Sequence, residues 1–276
     1  MKKKQRAFLK WAGGKYSLSD VINKMLPKGE RLIEPFVGAG SIFLNSDYDN
    51  YLLNDINQDL INLYQILQQK PDQFIEDARQ FFTPENNDAE VYYQFRKEFN
   101  ESEDKYFRSL MFLYMNRHGY NGLCRYNKSG GFNVPFGKYK KPYFPEQELN
   151  FFAEKSQKAT FVCESYRQTF TRVKSGDVVY CDPPYVPLSK TASFTSYAGN
   201  GFGLDEQADL ANAAEEVTTD VENTSVLISN HDTIWTRKIY EHANKIKKLK
   251  VARTISQKGS NRKKVGELLA LYKSKS

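Results

Sequence analysis

Apolar positions along this chain follow two different periods. Short apolar runs fall at Arg31 to Pro35, Tyr51 to Asn54, Thr160 to Cys163, Val178 to Cys181 and Val226 to Ser229. Their length and their β-branched and aromatic content predict buried strands. Elsewhere apolar residues recur every three or four positions, as at Leu60, Ile61, Tyr64 and Leu67, and again at Phe74, Ala78, Phe81 and Phe82. Leu110, Leu113 and Tyr114 form a further helical face, and Asp205 to Val217 and Thr233 to Ala243 read as helices between later strands. The first strand is followed by Gly38-Ala39-Gly40 and a helix start at Ser41 to Asn45, and the second ends in Asp55. Strand, turn, helix and strand in that order open a parallel α/β sheet.

Periodicity stops between His118 and Phe144, where Gly, Asn, Pro and aromatics dominate. Lys248 to Ile255 and Leu268 to Tyr272 are expected to pair as an antiparallel edge. The predicted class is therefore an α/β sheet interrupted by a mainly helical insertion. Residues 1–56 and 146–276 form the sheet domain and 57–145 the insertion, with an irregular hairpin at about 118–140.

Composition narrows this picture. Gly and Pro number 16 and 10 among 276 residues, which excludes a collagenous chain, and 40% hydrophobic content suffices for a core. The three cysteines, Cys124, Cys163 and Cys181, build no disulfide framework and have no metal-ligand spacing. We read them as small core thiols and expect no metal. The basic start, Met1 to Lys15, has no apolar stretch behind it, and no run approaches the ~18 residues of a membrane span. A reduced, cytoplasmic protein is expected. Forty Lys and Arg against 33 Asp and Glu give a formal charge of +7, which suits a polyanionic partner.

The distribution of charge says more. Between Arg117 and Lys141 stand six basic residues, Arg117, Arg125, Lys128, Lys138, Lys140 and Lys141, and no acidic one. Interleaved with them are Tyr120, Tyr126, Phe132, Phe136 and Tyr139. Basic charge neutralises phosphates, and rings can wedge into a base stack. A second basic run, Lys245 to Lys264, reads equally as a solvated sheet edge guarded by lysines.

Three segments carry chemistry. In Glu34-Pro35-Phe36-Val37-Gly38-Ala39-Gly40 the glycines let the backbone approach a ligand, but Phe43 breaks the third position of a dinucleotide pattern. With Asp55 placed for a ribose diol, the segment suits a nucleoside ligand without a diphosphate, S-adenosyl-L-methionine. In Trp11-Ala12-Gly13-Gly14-Lys15, two glycines precede a Lys able to pair with a carboxylate such as that ligand's methionine tail.

The most specific segment is Val178-Val179-Tyr180-Cys181-Asp182-Pro183-Pro184-Tyr185. Prolines remove N–H donors, so Asp182 and the proline carbonyls point outward with nothing to accept from. Such a site wants a donor, and an exocyclic NH2 donates two hydrogens. Acceptance by Asp182 and the Pro183 carbonyl frees the amine lone pair for attack on a sulfonium methyl. Tyr185 offers a ring for the base to stack on. His231 ends a strand and reads first as a satisfied structural histidine, with pocket lining the alternative, while Cys181 lies within its strand and makes a poor covalent nucleophile.

On these three segments the chain resembles the Dam-type bacterial DNA adenine methyltransferases, from Arg6 to Lys273. Asn116 to Asn127 is similar to their target-recognition hairpin. The resemblance implies a Rossmann-like methyltransferase sheet, transfer to the N6 amine of adenine in double-stranded GATC sites, no metal and a monomer. It also implies roles in strand marking for mismatch repair and in replication timing. It places Trp11, Lys15, Asp55 and Asp182 on the cofactor, with Phe36, Gly38, Gly40, Ser165 and Tyr166 in its pocket. Arg125 would read guanine, Lys10 a second base, and Leu123 and Pro135 a thymine methyl. Tyr120 would insert beside the flipped adenine and Asn121 would hold a phosphate. Lys138 has no match in the family and is read from the acid-free hairpin itself as a phosphate contact, with Tyr139 beside it also on DNA. The chain departs from the family at Lys128 to Gly131 and from Ser256 to Arg262. Transfer to cytosine, to a protein glutamine amide, or plain DNA binding are the alternatives. Asp before Pro183, the basic insertion, and the intact Lys15, Asp55 and Asp182 argue against each in turn.

Overall fold

The structure, a computed structural model, describes residues 4–185, 202–252 and 264–275. Strands β1 (Arg31–Glu34), β2 (Asn50–Asn54), β3 (Ala159–Val162), β4 (Asp177–Cys181), β5 (Ser225–His231), β6 (Lys245–Ala252) and β7 (Lys264–Lys273) form one sheet in the order β3-β2-β1-β4-β5-β7-β6. The first five run parallel, and β7 is antiparallel to both β5 and β6. The expected late antiparallel pair is present. The loop joining it, including Ser256 to Arg262, lies outside the described residues.

Helices are α1 (Ser19–Asn23), α2 (Ser41–Asn45), α3 (Gln58–Gln69), α4 (Pro71–Arg79), α5 (Ala89–Glu101), α6 (Lys105–His118), α7 (Glu146–Ser156), α8 (Tyr166–Phe170), α9 (Leu204–Asp220) and α10 (Ile234–Ile239). Their starts are chemically marked. Asn57, Asp88, Asp104, Ser165 and Thr233 accept backbone N–H bonds as N-caps.

Central strands are buried on both faces, as parallel strands between helix layers must be. Leu32, Tyr51, Leu53, Val178, Tyr180, Leu227 and Leu269 face one core, which they share with α3, α4, α6 and α7. Ile33, Leu52, Val179, Cys181, Val226, Ile228 and Leu268 face the other, closed by α8 and α9. The helices expected in the insertion thus pack on one face of the sheet. Arg108 grips the Asp59 carboxylate with two nitrogens at 2.9 Å, and Tyr126 donates to the same group at 2.7 Å, which ties α6 and the following hairpin to α3.

Two neighbouring strands, β1 and β4, have crossovers leaving to opposite sides. Ligands of open α/β sheets bind at this switch point, beyond the strands' C-terminal ends. Glu34 to Gly40 and Asp182 to Tyr185 both emerge there.

Candidate active site

The glycine turn after β1 is braced on several sides. Gly38 has φ +47° and Gly40 φ +71°, which L side chains seldom adopt. A Cβ on Gly38 would stand 2.8 Å from Trp11 Nε1, so glycine lets the turn close on the indole. Tyr64 Oη donates to the Gly38 carbonyl, and Asp55 Oδ2 accepts from Gly38 N at 3.1 Å. Asp55 Oδ1 takes Asn57 N at 3.0 Å. Burial raises the Asp55 carboxyl above its ordinary range, against the pull of these N–H groups. Asn54, unremarked in the sequence, bonds the Pro35 and Glu164 carbonyls and so joins the ends of β1 and β3. Trp11, Gly38 and Asp55 are therefore brought together.

Beside the turn, Phe36, Tyr166 and Phe202 form a ring cluster with centroids 5.5 to 5.7 Å apart. Phe202 belongs to no motif of the sequence, and only the fold brings it here. Tyr166 is pinned by its hydroxyl to Asp209. Ser165 stands next to this cluster, but its side chain caps α8 in a capping box with Gln168.

Asp182 meets Lys15 at the end of β4. Lys15 Nζ lies 2.8 Å from Asp182 Oδ1 and 2.8 Å from the Gly13 carbonyl. The ammonium expected to await a ligand carboxylate is thus already paired within the chain, because a buried amine needs acceptors. Lys15 is 5% exposed. Burial raises the Asp182 carboxyl, and Lys15 opposes that shift. Asp182 Oδ1 forms this ion pair without an aligned hydrogen bond.

The two proline carbonyls differ. That of Pro184 accepts from Gln207 Nε2 at 2.8 Å, and Gln207 is itself locked by Asn230 and Tyr240. Pro184 is therefore not a free acceptor, contrary to the sequence reading. The Pro183 carbonyl has no donor among the described residues. Tyr185 packs edge-on to His231 at 4.5 Å, lies under Lys15 Nζ at 4.6 Å, and donates its hydroxyl to Glu267 at 2.9 Å. Glu267 arrives on β7, and only strand pairing could have revealed it. Glu34, 2% exposed, also faces Asp182, and burial lifts its carboxyl well above the usual range. Cys181 is buried in the core beneath the sheet's other face, its thiol pushed far up by burial and further by Asp182 and Glu34, which suits a core role.

The 118–140 segment is an irregular hairpin, with antiparallel bridges Gly119 to Phe136 and Tyr126 to Phe132. Lys10 joins it from the N-terminal segment. Its Nζ lies 3.9 Å over the Tyr139 ring and bonds the Arg117 carbonyl, and a Cβ on Gly122 would strike its side chain. Burial, helped by Arg117, lowers the Lys10 amine to about 8. Tyr139 Oη accepts from Asn121 N at 2.9 Å. Tyr120, Asn121, Pro135 and Lys138 are exposed. Leu123 packs partly against the core. Arg125, expected to face a guanine edge, lies folded onto Asn133, with bonds of 2.7 Å and 3.0 Å to its side-chain and backbone oxygens. The two bonds satisfy the guanidinium within the hairpin.

The family model of D12 class N6 adenine-specific DNA methyltransferases matches residues 11–255. A DNA adenine methylase of Vibrio cholerae is 64% identical over 270 residues, 98% of this chain and 97% of that protein. The DNA adenine methylase of Escherichia coli is 60% identical over 271 residues, 98% of this chain and 96% of that protein. Among solved structures, a precorrin-6y methyltransferase from Geobacter metallireducens covers 94% of this chain and 88% of its own, at TM-score 0.41 and 9% identity. No helix among the described residues is long and apolar enough to cross a membrane.

Proposed function

Since this chain belongs to the D12 class N6 adenine-specific DNA methyltransferases, we propose that it transfers a methyl group from S-adenosyl-L-methionine to adenine N6 within double-stranded GATC sites. The observation that carries this reading is the pair of acceptors at the end of β4. Asp182 interacts with Tyr185, the Pro183 carbonyl has no donor among the described residues, and Gln207 occupies the Pro184 carbonyl. An amine placed there donates one hydrogen to each acceptor, and its lone pair leaves conjugation with the ring. Tyr185 receives the extruded base by stacking.

The cofactor's fit rests on the adjoining turn. The Phe36, Tyr166 and Phe202 rings make an apolar slot for a nucleobase, and Asp55 keeps spare lone pairs for a ribose diol. Gly38 and Gly40 admit close backbone approach, while Trp11 and Lys15 wall the methionine end. When bound, the cofactor supplies an activated methyl on sulfur. Ser165 supports this pocket by holding α8 rather than by a free hydroxyl.

Residues 57–145 serve as the recognition part. Arg125 leaves Asn133 for a guanine edge, Lys10 reaches a second base, and Leu123 and Pro135 meet a thymine methyl. Tyr120 fills the stack, and Asn121, Lys138 and Tyr139 follow the backbone. The protein works as a monomer, and its methyl marks serve mismatch repair and replication timing. The test is to express the chain in a bacterium lacking adenine methylation and sequence its DNA by a method that detects N6-methyladenine. Methylation at GATC is expected, and absent for Asp182→Ala; marks at another site would reject the specificity.

A further inference from the structure

Glu267 belongs to no motif of the chain, yet the sheet delivers it to the reacting end. Antiparallel pairing sets Glu267 opposite His231, the last residue of β5. Gly266 before it has no room for a side chain, since a Cβ would stand 2.9 Å from that of Asp232. This close approach lets β7 carry a carboxylate into a site where it is only 9% exposed. Oε2 accepts the Tyr185 hydroxyl at 2.9 Å. The same ring is touched edge-on by His231 and covered on one side by the Lys15 ammonium. Glu267 thus fixes the far end of a ring whose near end follows two prolines.

Resting on the reading of Tyr185 as the surface that stacks the target base, we propose that Glu267 is a positioning residue for methyl transfer. Its carboxylate anchors the Tyr185 hydroxyl and so sets the ring plane on which the adenine lies. A ring held only by its Cβ can rotate about two side-chain torsions, and each misplaced orientation is time spent away from reactive geometry. The burial of this carboxyl follows from the same geometry: burial raises it, while Lys15 and the Tyr185 hydroxyl pull it back toward the charged form that accepts best.

The test uses the full chain, a GATC duplex and four variants: Glu267→Ala, Glu267→Gln, Tyr185→Phe and the double Glu267→Ala/Tyr185→Phe. Glu267→Ala and Tyr185→Phe should each lower kcat by about tenfold, the scale of one hydrogen bond to a charged group. The double variant should fall no further than the weaker single one, because both remove the same bond. Cofactor affinity by calorimetry should stay within about twofold of the parent protein. Glu267→Gln keeps an acceptor oxygen and should recover most of the lost turnover. Wild-type kcat in Glu267→Ala overturns the proposal. So do losses that multiply in the double variant, a Glu267→Gln as slow as Glu267→Ala, or a kcat loss that tracks a lowered thermal midpoint. Failure of the unaltered chain to methylate adenine would instead reject the parent reading, which Asp182→Ala tests separately.

Discussion

The Lys15 ammonium and the Asp182 carboxylate, 2.8 Å apart, share one buried site at the end of β4. Burial pushes the Asp182 carboxyl up and Lys15 pulls it back down. Removing the ammonium leaves burial unopposed, so the carboxylate forms only at higher pH. Lys15→Met should therefore move the acid limb of the pH–rate profile upward and cut neutral-pH turnover by roughly tenfold or more. Initial rates from about pH 5 to 9 check this, and an unmoved acid limb would refute it.

Glu34 supplies a stability test. Its folded carboxyl titrates well above the ordinary range, with burial the first cause. The folded chain then holds a proton that the unfolded chain has released, so stability falls as pH rises from the ordinary carboxylate range toward the folded value. Glu34→Gln removes that slope. Thermal melts across this window should show the parent losing ground to Glu34→Gln as pH rises; parallel curves would contradict the assignment.

Asp55 spends one lone pair on Gly38 N and one on Asn57 N. Asp55→Ala removes both braces and the acceptor proposed for the ribose. Charge-assisted hydrogen bonds contribute about 1.5–3 kcal/mol, so cofactor affinity should drop roughly tenfold or more. Calorimetry on the folded variant measures it, with unchanged affinity counting against the ribose assignment.

Lys10 titrates at about 8 in the folded chain, lowered by burial and then by Arg117. Above that pH it loses the charge that the proposed DNA contact would use. Duplex affinity should weaken from about pH 7 to 9 in the parent and stay flatter in Lys10→Arg, since guanidinium remains charged. Because the folded value is depressed, the unfolded chain binds more protons above about 8, and stability should rise with pH there. Lys10→Met should lack that rise. Identical binding curves for parent and Lys10→Arg would remove Lys10 from the interface.

Arg125 and Lys138 share the acid-free hairpin but should behave differently. Arg125→Ala should lose ~1–3 kcal/mol on GATC and much less on a site altered at the pair it reads. Lys138→Ala should weaken both sites alike and reduce the salt slope by about one unit. Methylation rates on GATC and single-base variants at two salt concentrations separate the two. Equal slowing on every site by Arg125→Ala would make it a backbone contact.

Much of the architecture was legible because strand and helix periods were clean. Val178 to Cys181 read as a buried strand and is one, and the Asp182-Pro183-Pro184-Tyr185 string ends it at the switch point. What stayed hidden was pairing between distant segments. Nothing about Lys15 announces Asp182 as its partner, and nothing about Gln207 announces the Pro184 carbonyl. Glu267 sits in an ordinary strand pattern, and its place follows from a register that emerges only once β7 is threaded between β5 and β6. Ser165 shows the converse: the resemblance places it in the cofactor pocket, while its hydroxyl is committed to capping α8.

Lys10 and Trp11 are separated by a single peptide bond, and they belong to different halves of the molecule. Lys10 rests on Tyr139 in the hairpin, and Trp11 lies against Gly38 in the cofactor turn. Any coupling carried across that bond is thermodynamically reciprocal: whatever factor the nucleic acid adds to cofactor affinity, the cofactor returns to nucleic acid affinity. If DNA meets Lys10 and the cofactor meets Trp11 as proposed, a single peptide bond joins the two binding sites.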